Sequence, residues 1–139
     1  MDEKDEIILR MLMINSRIPM IDIARELGIT ETAIRKRVKK LEENGAIKGY
    51  TTIVDPFFLG YESVALIGVD SKPEKILTVL KQIKSMKETK DVSLTTGDHM
   101  IMFEAWCRNS KELGEFLKRV EQINGVTKVC PAICIKRRE

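Results

Sequence analysis

Two stretches of this chain repeat each other at a fixed distance, and the repeat limits the possible fold more than any other feature. Ile76, Val79, Leu80, Ile83 and Met86 recur 37 positions later as Leu113, Phe116, Leu117, Val120 and Ile123. Apolar residues at offsets of three and four share one face of a helix, so both sets read as amphipathic helices. The flanking apolar segments keep the offset, Val64 matching Ile101, Leu66 matching Phe103 and Val92 matching Val129. Such self-similarity marks a duplicated supersecondary unit, here strand, helix, strand in each copy. Pro73 suits the opening of the first helix, and Asn109 with Glu112 three residues on suits the capped start of the second. The C-terminal part is therefore predicted to be a β-α-β-β-α-β, ferredoxin-like domain. Right-handed crossovers would place both helices on one face of a four-stranded antiparallel sheet.

A sheet with one face in water should alternate apolar and polar residues. These strands do not. Val64, Ala65, Leu66, Ile67 and Val69, then Ile101, Met102, Phe103, Ala105 and Trp106, then Ile133, Cys134 and Ile135 place apolar side chains on both faces. The face opposite the helices is expected to pack against the same face of a second copy, as a two-fold homodimer.

The N-terminal part reads as three helices. Ile7, Ile8, Met11, Leu12 and Ile14 give the first its apolar face, ending before Ser16 and Arg17, and an acidic first turn suits the helix dipole. Pro19 is placed at the first position of a second helix, with Ile23, Ala24 and Leu27 inward and Gly28 as its stop. Thr30 is placed as the cap of a third, with Ile34, Val38 and Leu41 inward and Asn44-Gly45 at its end. A connection of two or three residues containing a glycine holds the second and third helices at a steep angle, as in a helix-turn-helix. The segment Ile47 to Val54 reads as a strand that Asp55-Pro56 breaks. The expected organisation is α+β: a helix-turn-helix domain with linker strand over 1–54, a hinge over 55–61 in which the aromatic cluster packs, and the β-α-β-β-α-β domain over 62–139.

A formal net charge of +3 says little about partners, because 24 basic and 21 acidic residues nearly cancel. Their placement says more. Arg35, Lys36, Arg37, Lys39 and Lys40 are interrupted only by Val38, on the second helix of a tight two-helix turn. A wheel at 100° per residue sends Thr32, Lys36 and Lys39 directly away from the inward line, with Arg35 and Lys40 beside them. The candidate set for contact with double-stranded DNA is Thr30, Thr32, Arg35, Lys36, Arg37, Lys39 and Lys40. Recognition helices read bases near their N-terminal end, so Thr32, Arg35 and Lys36 are assigned to base edges and Lys39 and Lys40 to phosphates. Arg37 lies near the buried line and is given a supporting or phosphate role. A two-fold dimer would present two such helices to half-sites one helical turn apart.

Other classes find little support. Cys130 and Cys134 would stand about 13 Å apart along one strand and cannot bridge. With one histidine and no Cys-x-x-Cys, no structural metal or cofactor is expected, and a reduced cytosol fits. No nucleophile-base pair or phosphate loop suggests an enzyme. An RNA-binding module shares the strand and helix order, but the strand from Met100 to Cys107 lacks its glycine-aromatic spacing. The acidic start is no secretory signal and no apolar run nears the ~20 residues of a membrane span, so a cytoplasmic protein is expected.

Three segments resemble the leucine-responsive regulator/AsnC, or feast/famine, family of transcription regulators. They are Ile23-Ala24-Arg25-Glu26-Leu27-Gly28, the run from Arg37 through Gly45-Ala46-Ile47, and Gly49-Tyr50 through Val54-Asp55-Pro56 followed by Leu59-Gly60. The resemblance spans nearly the whole chain. It implies a sequence-specific DNA-binding regulator, dimeric and commonly assembled as octamers of four dimers, whose C-terminal domain binds an amino acid or other small effector. The implied effector loop is Thr96, Gly97, Asp98, His99 and Met100, similar to the family's Thr-Gly-Asp-Tyr-Asp, with histidine for tyrosine and methionine for the second aspartate. His99 is a side chain of the type that changes charge in the physiological range, and it is read either as a ligand contact or as part of a hairpin turn. The alternative is a small-molecule sensor of the same fold without direct DNA binding.

Overall fold

The structure is a computed structural model describing residues 2–134, and the chain divides into two compact units, Met1–Ile53 and Val54–Glu139. The predicted apolar position Ile135 lies outside the described residues.

The first unit holds α1 (Glu3–Ile14), α2 (Met20–Leu27) and α3 (Glu31–Glu43). Each boundary has a local cause. The Asp2 side chain accepts from the Asp5 N–H at 2.8 Å and the Thr30 hydroxyl from the Ala33 N–H at 3.1 Å, so two of the three helices begin on a side-chain cap. Pro19 sits one position earlier than expected, as the residue before α2, with φ −62°. Gly28 ends α2 in the left-handed region at φ 66°, where a glycine carries no steric penalty. Ile8, Leu12, Ile23, Ala24, Ile34, Val38 and Leu41 form one core. Ile14 was expected on that face but is 88% exposed. It lies about 120° round the helix from Ile8 at 100° per residue, off the line that Ile8 and Leu12 define.

The predicted strand from Ile47 to Val54 does not form. Residues 48–55 run without a ladder partner, and Ile53 is almost fully exposed. A strand needs neighbouring N–H and C=O groups, and among the described residues every ladder pairs strands that lie between 63 and 133.

In the second unit Asp55 caps a short 3-10 turn, Pro56–Leu59. The aromatic cluster divides there: Phe57 and Phe58 meet edge to face but stay exposed, whereas Tyr61 packs 5.7 Å from Trp106 under the guanidinium of Arg108. Then follow β1 (Ser63–Ser71), α4 (Ile76–Ser85), β2 (Thr89–Leu94), β3 (Ile101–Cys107), α5 (Ser110–Glu121) and β4 (Val126–Ile133). The sheet order is β2-β3-β1-β4 with antiparallel pairs throughout. Pro73 opens a 3-10 turn, and α4 begins only at Ile76. Asn109 caps α5 as expected, while the Glu112 carboxylate turns back to the Arg108 N–H at 2.9 Å.

The core lies between sheet and helices. Ala65, Ile67, Val69, Ile101, Phe103, Ala105 and Cys107 from the strands meet Val79, Ile83, Leu113, Phe116 and Val120 from the helices. Each large apolar side chain so buried contributes about 1.5–3 kcal/mol relative to exposure. The helices keep the 37-residue offset seen in the sequence, and so do Val92 on β2 and Val129 on β4, both packed against this core, but β1 and β3 do not. Phe103 is 1% exposed under the helices, whereas Leu66, its partner in the repeat, is 48% exposed on the opposite face. A strand alternates its faces residue by residue, so a one-position slip exchanges them. The open face is also less apolar than expected. Cross-strand register places Val64, Leu66, Gly68 and Asp70 beside Trp106, Glu104 and Met102 on one side and Ala132, Cys130 and Lys128 on the other.

Candidate nucleic-acid interface and effector loop

Burial of Ile34, Val38 and Leu41 fixes the rotation of α3, and Thr30, Thr32, Arg35, Lys36, Lys39 and Lys40 are left exposed. The cations differ in how they are held. Arg35 pairs with Glu31 at 2.6 Å and Lys39 stands 4.0 Å from Glu43, both i,i+4 contacts in solvent and worth only a few tenths of a kcal/mol. Lys36 and Lys40 make no ion pair among the described residues. Such weak ties leave the row available to phosphate oxygens.

Arg37 is different. Its guanidinium donates to Asp2 at 2.7 Å and to Asp5 at 3.0 Å, tying α3 to the start of α1. The hydrogen bond to Arg37 holds the Asp2 carboxyl below its ordinary range, and the same bonds raise the Arg37 pKa.

Beside this row lies a cleft of about 370 Å³ that includes Ser16, Met20, Arg35, Lys39, Glu42 and Tyr50. The Tyr50 hydroxyl lies 3.3 Å from a Glu42 carboxylate oxygen, and burial, then Glu42, push the phenol pKa up. Ser16 and Tyr50 were not in the expected set. Only the position of Tyr50, a lone aromatic just past the basic helix, hinted at it.

The loop from Thr95 to Met100 joins β2 to β3. Thr96, Gly97 and Asp98 are exposed at its tip, while His99 and Met100 are half-buried. The Thr95 N–H donates to the Met100 carbonyl at 2.8 Å and the Thr95 hydroxyl to the His99 carbonyl. A residue from outside the loop anchors it: Asp70 on β1 accepts from the Met100 N–H at 3.2 Å with Oδ1, and its Oδ2 lies 3.3 Å from His99 Nδ1. Of the five expected effector residues, His99 and Met100 are thus brought together on Asp70, and the other three are not. The sequence signal for Asp70 was an acid directly after the stretch of apolar residues and glycine from Val64 to Val69.

The remaining chemistry is sparse. Among the described residues no group of three His, Cys, Asp or Glu side chains is placed to hold a metal ion, and the three cysteines are free. Burial pushes the Cys107 thiol up to about 11. No described helix is long and apolar enough to cross a membrane.

Comparison with known proteins agrees with this arrangement. Residues 1–42 match the model of the AsnC-type helix-turn-helix domain, and residues 64–138 match that of the Lrp/AsnC ligand binding domain. The HTH-type transcriptional regulator LrpA of Pyrococcus horikoshii is 46% identical over 137 residues, covering 98% of this chain and 97% of the relative. The solved structure of Escherichia coli AsnC aligns with a TM-score of 0.84 at 27% identity, over 99% of this chain and 93% of that one. The transcriptional regulator NMB0573 of Neisseria meningitidis, solved as a complex with L-Met, shares the fold at a TM-score of 0.84 and 19% identity, over 100% of this chain and 92% of that one. With a DNA-binding helix-turn-helix in its first unit and a ligand-binding domain in its second, this chain belongs to the Lrp/AsnC family of transcriptional regulators.

Proposed function

We propose that the chain regulates transcription as a non-enzymatic, cytoplasmic homodimer, or an octamer of four dimers, that reads duplex DNA through α3 and answers to a small effector. The supporting observation is the row of exposed cations on a helix whose opposite side is buried. In this reading residues 1–54 bind DNA, 55–61 serve as hinge and 62–139 pair the protomers and hold the effector. Thr32, Arg35 and Lys36 face base edges, Thr30 starts the reading helix, Lys39 and Lys40 grip phosphates, and Arg37 braces the helix. The open sheet face around Leu66 pairs the protomers.

The effector reading rests on the loop Thr96, Gly97, Asp98, His99 and Met100 and its anchorage to Asp70. L-Met in the NMB0573 complex makes amino acids the first candidates. The test is selection of bound fragments from random duplex DNA, repeated with a panel of amino acids while sedimentation follows oligomer size. Enrichment of a two-fold symmetric site, altered by one amino acid, is the expected result. Complete absence of DNA binding at low salt would favour the sensor-only alternative.

A further inference from the structure

A second surplus of positive charge lies outside the helix-turn-helix. From Lys75 to Lys87 there are four lysines and no acidic residue, a surplus larger than the +3 of the entire chain. The cations of α3 have Glu31, Glu42 and Glu43 on the same helix, whereas this stretch holds nothing to offset its own charge. Lys81, Lys84 and Lys87 are exposed and make no ion pair among the described residues. The next acid along the chain, Glu88, is buried and engaged by Arg119 of α5.

Packing sets the direction of this charge. Val79 and Ile83 are buried against the sheet, with Ile76, Leu80 and Met86 beside them. At 100° per residue Leu77, Lys81 and Lys84 then share an arc of about 60° turned away from that core. Thr78 and Gln82, also exposed, add neutral hydrogen-bonding groups. The helices cover the sheet face opposite Leu66, so pairing of the protomers through Leu66 leaves the outer side of α4 free. A two-fold contact on α4 itself would set each lysine row against its twin, which like charges oppose. Lysine, threonine and glutamine are side chains that grip the sugar-phosphate backbone without reading sequence. Lys81 and Lys84 stand about 4.5 Å apart along the helix axis at ~1.5 Å per residue, and phosphates of one strand rise about 3.4 Å each, so the pair can take neighbouring phosphates.

We infer that the outer side of α4 is a second DNA surface, which holds the phosphate backbone of duplex flanking the stretch read by α3. The inference rests on the reading of α3 as the DNA-binding helix and extends the contact to the second unit.

The test uses the full-length protein and two duplexes that carry the same selected site. The shorter, of about 24 base pairs, covers two half-sites one helical turn apart, and the longer adds about 20 base pairs of unrelated sequence on each side. Lys81→Gln with Lys84→Gln removes two charges from α4, and Lys111→Gln with Lys118→Gln removes two exposed charges from α5 as the control. Glutamine nearly matches lysine in helix propensity, so melting curves of both variants should follow the parent. On the longer duplex the α4 variant should bind several-fold more weakly than the control, with a slope of log affinity against log salt shallower by about one to two. On the shorter duplex the two should bind alike. Acetylation mapped by peptide mass should spare Lys81 and Lys84 of the parent chain on the longer duplex and not on the shorter. Equal losses in both variants would reflect net charge alone and overturn the α4 surface. Protection of Lys81 and Lys84 without DNA would assign the surface to another copy of the chain and overturn it as well. If the parent binds the shorter duplex and the flanks bring out no difference between the variants, the reading of α3 stands and that of α4 falls. If neither duplex is bound at low salt, both readings fall.

Discussion

Arg37 on α3 reaches 35 residues back along the chain to place its guanidinium 2.7 Å from Asp2, the residue that also caps α1. One acid thus fixes both the start of the first helix and the position of the third. Arg37→Met should lower the melting temperature of the protein by a few degrees while reducing DNA affinity less than removal of the Lys39 charge. Because Asp2 is held below its ordinary range, the contribution is present above the unfolded carboxylate value of about 3.9 and is lost as pH falls through the lowered folded value. Melting curves of parent and variant should therefore converge in acid. A gap that stays constant down to pH 2 would mean that the stabilisation comes from packing of the arginine stem.

Lys39 and Lys40 are exposed on the outer side of α3 with at most a weak i,i+4 tie. Replacing either by alanine should weaken binding evenly across DNA sequences and reduce the slope of log affinity against log salt by about 0.9 for each phosphate that is no longer neutralised. Arg35→Ala should behave differently, relaxing preference at one base pair at a cost of about 1–3 kcal/mol. Binding of each variant to a library of single-base operator changes distinguishes the two patterns. Unaltered selectivity in Arg35→Ala would move the reading edge elsewhere on the helix.

What could be read from the sequence was whatever local chemistry decides. Thr30, Gly28, Asn109 and the 3.6-residue spacing of Ile34, Val38 and Leu41 act within one turn, and the structure places them as the sequence implied. Strand faces were less legible, since every residue of β1 from Val64 to Val69 is apolar or glycine and gives no alternation to follow. The repeat therefore aligned Leu66 with Phe103 although they face opposite ways. Interactions between residues far apart in sequence left the least trace. Asp70 meets His99 29 positions on, and Arg37 meets Asp2 across the whole helical unit. Ile47 to Val54 has strand composition but no ladder partner among the described residues, and composition carries no information about partners.

Cys107 offers a check on the buried core. Its thiol lies under the helices, and burial pushes it up to about 11, so almost none is thiolate at pH 8. Cys130 and Cys134 are half-buried and should be labelled by a maleimide first. Peptide mapping after timed alkylation should find Cys107 modified only once the protein is denatured. Early labelling of Cys107 in the native protein would mean that the sheet opens away from α5.

Leu66 and Phe103 provide the sharpest test of assembly, because the same charge placed at each should produce different failures. Phe103 is buried between sheet and helices, 6.1 Å from Phe116. An aspartate there removes packing worth about 3–5 kcal/mol and strands a carboxylate in an apolar core, so Phe103→Asp should not fold. Leu66 is half-exposed on the open face and contributes little to the core of its own chain. Leu66→Asp should therefore keep its helical circular dichroism signal and sediment as a monomer, since paired faces would bring two like charges into one apolar contact. Breaking the dimer should also cost much of the DNA affinity, as the two recognition helices would no longer bind as one unit. A Leu66→Asp protein that remains dimeric would place the protomer contact on another surface, and the symmetric presentation of α3 would need a different scaffold.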